Sequence, residues 1–189
     1  MNDLANLLRR LTAALDQAKI PFMIAGSFAS TAHGAPRTTQ DLDVVIDPAD
    51  ARALDALLNQ FPAAAYYVDT ETAHDALRRR SMFNVIDLAT GWKVDFILRK
   101  NREFSRNEMK RRIAMPMLGI SVFVASPEDT IVAKLEWSRE GGGSERQRRD
   151  VAGILAAIGD GLDVTYIERW VAELDLDEEW QAARAVRVL

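Results

Sequence analysis

In the run QDLDVVID, Asp41 and Asp43 stand one residue apart, while Leu42, Val44 and Ile46 take the alternate positions. That period of two is the signature of a strand with one apolar face, so both carboxylates leave the other face with Cβ atoms about 6–7 Å apart. Two carboxylates about 5 Å apart repel by roughly 3 kcal/mol at an effective dielectric of 20, and burial would drive one of them to take a proton. A divalent cation removes that penalty. Carboxylate oxygens suit hard Mg²⁺ or Mn²⁺, which complete their shells with water and phosphate oxygens.

Two further segments point the same way. Upstream, the apolar run PFMIA stops at Gly26-Ser27 and SFASTAH follows, closed by Gly34. This reads as strand, turn and short helix, in which backbone N–H groups and the Ser27 hydroxyl can cradle a phosphate. Downstream, KVDFIL alternates Lys93, Asp95 and Ile97 on one face with Val94, Phe96 and Leu98 on the other. A carboxylate lodged between Val94 and Phe96 needs a reason. Taken together, Gly26, Ser27, Asp41, Asp43 and Asp95 compose a site for metal and triphosphate. Arg37 either steadies that triphosphate or shields the acidic strand.

Elements must hold these groups in place. Leu4, Leu7, Leu8, Leu11 and Leu15 recur at helical spacing and predict a helix over about 3–17, followed by a buried strand at 21–25. Asp47 as N-cap with Pro48 at the first helical position predicts a helix burying Leu54, Leu57, Leu58 and Phe61. YYVD at 66–69 and FNVID at 83–87 read as strands around a short helix, ETAHDALRRR. RIAMPML and ISVFVA form a pair around Gly119, with Pro116 placing the first of them at an edge. Ser126-Pro127-Glu128-Asp129 opens a helix through about Glu140, and helices over 145–157, 163–173 and 176–187 follow. The expected fold is α+β: a core over 1–125 built on a mixed sheet of about five or six strands, then a small helical C-terminal part, 126–189, packed on it.

Composition narrows the classes. The 189 residues include no cysteine and two histidines, which excludes a disulfide framework, zinc fingers and a thiol nucleophile. MNDLANLLRR carries no apolar signal region, and the longest weakly polar stretch, AMPMLGISVFVA, falls well short of the ~20 apolar residues of a membrane span. The expectation is a cytoplasmic protein without membrane attachment. The formal charge of −4 is uneven, with net +5 over 99–112 and −6 over 150–189. RKNREFSRNEMKRR is therefore either a local strip facing phosphate or a solvated face.

The pattern IAGSFASTAHGAPRTTQDLDVVI followed by KVDFIL resembles nucleotidyltransferases of the DNA polymerase β superfamily. Within that superfamily, PRTTQDLDVVID, KVDFIL and SPEDTIVAKLEWSREGGGSERQRRDVAGIL are most similar to AbiEii-type abortive-infection toxin nucleotidyltransferases and their uncharacterised relatives. Phe28-Ala29-Ser30 stands where many antitoxin-type minimal nucleotidyltransferases carry an Arg, which sets the chain apart from that subgroup. The resemblance implies a mixed-sheet nucleotidyltransferase fold and a metal-dependent transfer of a nucleoside monophosphate from an NTP to an acceptor hydroxyl. It implies that Asp41, Asp43 and Asp95 hold two Mg²⁺ (or Mn²⁺) ions and act as the catalytic residues, Asp95 on the acceptor side. It implies nucleotide contacts from Gly26, Ser27, Arg37 and Lys134, Lys134 being otherwise readable as a surface lysine. Arg148 and Arg149 beside Asp150 read either as nucleotide contacts or as internal ion pairs. The acceptor is open among an RNA such as tRNA, a protein and a small molecule, and an antitoxin or other partner protein is implied. A different class is a catalytically silent nucleotide-binding or toxin–antitoxin interaction module; the presence of all three acidic residues weighs against it.

Overall fold

The computed structural model describes residues 3–187, and the chain forms two compact units. One comprises Met1–Ile24 with Thr39–Val124, the other Ala25–Thr38 with Ala125–Leu189. The strands are β1 (Phe22–Ile24), β2 (Asp41–Ile46), β3 (Tyr66–Val68), β4 (Met82–Asp87), β5 (Lys93–Leu98), β6 (Ile113–Met117) and β7 (Ile120–Val124). The helices are α1 (Asp3–Gln17), α2 (Gly26–Ala32), α3 (Ala51–Leu58), α4 (Thr70–Arg79), α5 (Glu103–Arg111), α6 (Pro127–Glu140), α7 (Glu145–Ile158), α8 (Val164–Glu173) and α9 (Asp177–Arg184).

The seven strands of the described residues lie in the first unit, as one sheet of order β3-β4-β5-β2-β1-β7-β6. The sequence led to five or six. Each segment that reads as a strand is one, the three-residue β1 and β3 included, and all of them join the one sheet. The β2–β5 and β1–β7 pairs are parallel and the others antiparallel, so the sheet is mixed, and β6 with Pro116 is an edge strand as expected.

Alternation divides this sheet into two chemical faces. Leu42, Val44 and Ile46 of β2, Val94, Phe96 and Leu98 of β5 and Phe83 and Val85 of β4 are all buried. Phe96 stacks on Phe83 with ring centroids 5.2 Å apart, and Phe61, just beyond α3, approaches Phe96 at 6.0 Å. Burying each such side chain contributes roughly 1.5–3 kcal/mol, so this face fixes the register. Arg10 on α1 pairs with Asp87 and lies over the Tyr66 ring, which brings α1 and its buried Leu7, Leu8, Leu11 and Leu15 to the same side. The opposite face is left for Asp41, Asp43, Lys93 and Asp95.

One cap differs from expectation. Asp47 does not cap a helix: Asp50 does, its side chain accepting from the Ala53 N–H at 2.9 Å, and α3 begins at Ala51. Asp47 instead accepts from Arg99 Nε at 2.7 Å, with Arg80 3.6 Å away. Two cations on a partly buried carboxylate outweigh one cap hydrogen bond, because charge-assisted bonds are about twice as strong.

In the second unit, Ser126 caps α6 as the sequence indicated, accepting from the Asp129 N–H at 3.1 Å with Pro127 opening the helix. Asp129 is fully buried and accepts at 2.6 Å from the Tyr166 hydroxyl of α8. Trp170 and Trp180 are core residues, whereas Trp137 is exposed. The segment after α2 lies hard against α7. Gly34 has φ +102°, and a Cβ there would stand 2.2 Å from that of Ala157, while one on Gly153 would meet Ala35 at 2.9 Å. Both contacts demand glycine.

Candidate active site

On the polar face of the sheet, the parallel register sets Asp43 beside Asp95 and Asp41 beside Lys93. Neighbouring strands lie about 4.8 Å apart, so the three carboxylates occupy two adjacent strands within one side chain's reach of one another. Asp95 is 6% exposed, Asp43 half-buried and Asp41 exposed. The Lys93 ammonium stands 2.9 Å from Asp95 Oδ2 and 3.5 Å from Asp41 Oδ1. Its pKa is raised, first by the hydrogen bond to Asp95 and then by the charges of Asp95 and Asp41, against an opposing effect of burial.

Asp95 Oδ1 is buried and has no hydrogen-bond partner. An orphaned carboxylate oxygen costs on the order of 1–3 kcal/mol and calls for a water, an ion or a ligand beside it. The oxygen-only donor set suits Mg²⁺ or Mn²⁺ in its chemistry. Among the described residues, no three acidic or histidine side chains are already gathered to hold a metal. The strand register sets Asp43 beside Asp95, and the carboxylates around Lys93 would have to converge to hold one ion.

The second unit holds the other residues singled out in the sequence. Gly26 has φ +57°, a left-handed conformation that lets the chain turn straight from β1 into α2. Its neighbour Ser27 is buried, and Ser27 Oγ accepts from Arg37 Nε at 2.8 Å and from Arg37 Nη2. Arg37 Nε is also 3.9 Å from Asp150 Oδ2. Lys134 is not a surface lysine. At 4% exposure it donates to Asp150 Oδ2, and Asp150 itself is 7% exposed. Ser27, Arg37, Lys134 and Asp150 are thus one connected polar cluster, with Asp150 at its hub. The sequence singled out Arg37 and Lys134 singly. It did not show that Asp150 joins them, though two cations spaced for a buried acid near RRD would have been the signal.

Other candidates take plain structural roles. Arg149 pairs with Glu145 at 2.6 Å, one turn away on α7. His33 Nε2 lies 2.7 Å from the Ala125 carbonyl oxygen. His74 is half-buried with Nε2 2.9 Å from Asp55 Oδ1, because α3 and α4 pack together. The basic run 99–112 forms α5 and its flanks. Phe104 and Met109 anchor that helix, Arg106 and Lys110 are exposed, and Arg112 lies over the Phe123 ring at 4.6 Å.

This mixed sheet, with carboxylates aligned on adjacent parallel strands and helices following, is the fold of nucleotidyltransferases. ANT(2'')-Ia in complex with adenylyl-2''-tobramycin has 14% sequence identity to this chain, over 95% of it and 99% of its own length, with a TM-score of 0.62. An antigenic nucleotidyltransferase-like protein from Paracoccidioides brasiliensis has 18% identity, covering 93% and 91%, at TM-score 0.52. The lincosamide antibiotic adenylyltransferase LnuA, lincomycin-bound, has 10% identity, covering 78% and 93%, at 0.51. At such identities the likeness establishes the fold. No curated protein matches the sequence significantly. Residues 6–186 match the nucleotidyl transferase AbiEii toxin family of type IV toxin–antitoxin systems, and the chain belongs to that family. Among the described residues, no helix is long and apolar enough to cross a membrane.

Proposed function

We propose that the chain transfers a nucleoside monophosphate from an NTP to an acceptor hydroxyl in a reaction that requires Mg²⁺ or Mn²⁺. The observation that carries this reading is the register of Asp43 beside Asp95, with Asp41 on the same face and Asp95 Oδ1 buried without a partner. Asp41, Asp43 and Asp95 would hold the divalent ions, which supply neutralisation of phosphate charge and a lowered pKa for the attacking hydroxyl. Asp95 orients the acceptor hydroxyl and takes its proton. The acceptor oxygen forms a bond to the α-phosphorus as the bond from that phosphorus to the bridging oxygen breaks, and pyrophosphate leaves. Gly26, Ser27, Arg37 and Lys134 are assigned to the triphosphate, whose charge their donors complement.

The exposed Arg106 and Lys110 of α5 favour an RNA such as tRNA as acceptor over a protein or a small molecule. Family membership supports an antitoxin as partner. The presence of all three carboxylates speaks against a silent binding module. Calorimetry tests the site. NTP should bind more tightly with Mg²⁺ than without it, and Asp43→Asn should abolish the difference. An NTP affinity indifferent to both metal and substitution would refute the assignment.

A further inference from the structure

Lysine usually runs its stem along apolar surface and places its charge in water. Lys93 does otherwise. It lies two residues before Asp95 on β5, hence on the same face, and its register partner is Asp41 on β2. Its side chain is 34% exposed, and its ammonium turns in among the carboxylates, 2.9 Å from Asp95 Oδ2 and 3.5 Å from Asp41 Oδ1. Resting on the function proposed above, these are oxygens that a divalent ion would need. Mg²⁺ binds oxygen at about 2.0–2.1 Å, too close to leave the same lone pair to an ammonium. Held on the same carboxylates, the two cations repel, so each weakens the other's binding there.

We propose that Lys93 is the built-in counter-ion of the acidic face: it holds Asp41 and Asp95 against their repulsion, and its charge competes with a divalent ion for them. Lys93 thereby sets the metal concentration at which the face loads. The unpaired Asp95 Oδ1 is the atom left available while the ammonium is in place.

The test is Mn²⁺ binding to the full chain without nucleotide, read by the electron paramagnetic resonance of free Mn²⁺, together with melting in EDTA and in Mn²⁺. Lys93→Met should melt at lower temperature than wild type in EDTA, bind Mn²⁺ about 5- to 100-fold more tightly, the usual span of coupling between competing ligands, and gain more stability from the metal. Lys93→Arg, which keeps the charge, should stay near wild type. Should the methionine variant lose its fold, Lys93→Gln makes the same comparison. Mn²⁺ affinity that Asp43→Asn abolishes but Lys93→Met leaves unchanged or weakens would overturn the counter-ion role alone. Absence of any Mn²⁺ binding sensitive to Asp43→Asn would overturn the metal site itself, and this role with it.

Discussion

Asp95 is the residue on which structural and chemical explanations diverge most sharply. One of its oxygens pairs with Lys93, which would suffice for a purely structural acid, but the other is buried with no partner, which would not. Asp95→Asn keeps the shape and removes the charge. If Asp95 acts on the acceptor side, transfer falls by about 100- to 1,000-fold while NTP affinity changes only a few-fold, the pattern of a lost transition-state interaction. A structural Asp95 predicts a slightly lower melting temperature and near-normal transfer, so stability, affinity and transfer measured on one preparation separate the two. The shared face of Asp41, Asp43 and Asp95 was legible in the sequence because a strand's period is two. The position of the Lys93 ammonium was not: the pattern puts Lys93 on that face, but four flexible carbons leave its charge to be placed by neighbours on another strand.

At the scale of elements, most boundaries followed from local chemistry, as the cap at Ser126 and the edge position of β6 illustrate. The displaced start of α3 shows where local chemistry stops. Asp47 and Asp50 are equivalent as caps by residue type, and what separates them is Arg99, a residue on the far side of three intervening strands in the sequence. The close approach of Gly34 to α7 is similarly a long-range fact, although Gly34 itself was readable as a helix terminator. It yields a sharp expectation. Gly34→Ala puts a methyl 2.2 Å from the Ala157 Cβ on a backbone with φ +102°, and should destabilise the protein by about 2–3 kcal/mol in denaturant unfolding. Ala157→Gly added to it should recover part of the loss; a Gly34→Ala variant as stable as wild type would contradict the packing described.

At the scale of the whole molecule, Ala25–Thr38 forms one compact unit with the C-terminal helices, and the cluster of the buried Ser27, Lys134 and Asp150 with the half-buried Arg37 lies within it. Strand–turn–helix patterning shows that a short helix exists at 26–32 but cannot show which helices it packs on, since that depends on residues more than a hundred positions away. The Lys134–Asp150 pair tests this cluster's structural share. Lys134→Met leaves the buried Asp150 carboxylate only Arg37, 3.9 Å away, and should cost about 3 kcal/mol, whereas Lys134→Met with Asp150→Leu should recover part of it. Equal destabilisation in the single and double variants would show that the two side chains do not depend on each other. The central claim, transfer of a nucleoside monophosphate at the acidic face, is tested most directly by isotope position. The protein is incubated with Mg²⁺, total RNA and NTP labelled at either the α- or the γ-phosphate. The account predicts that α-label alone becomes acid-precipitable with RNA and that Asp43→Asn abolishes it; γ-label incorporation, or α-label incorporation undiminished in Asp43→Asn, would contradict it.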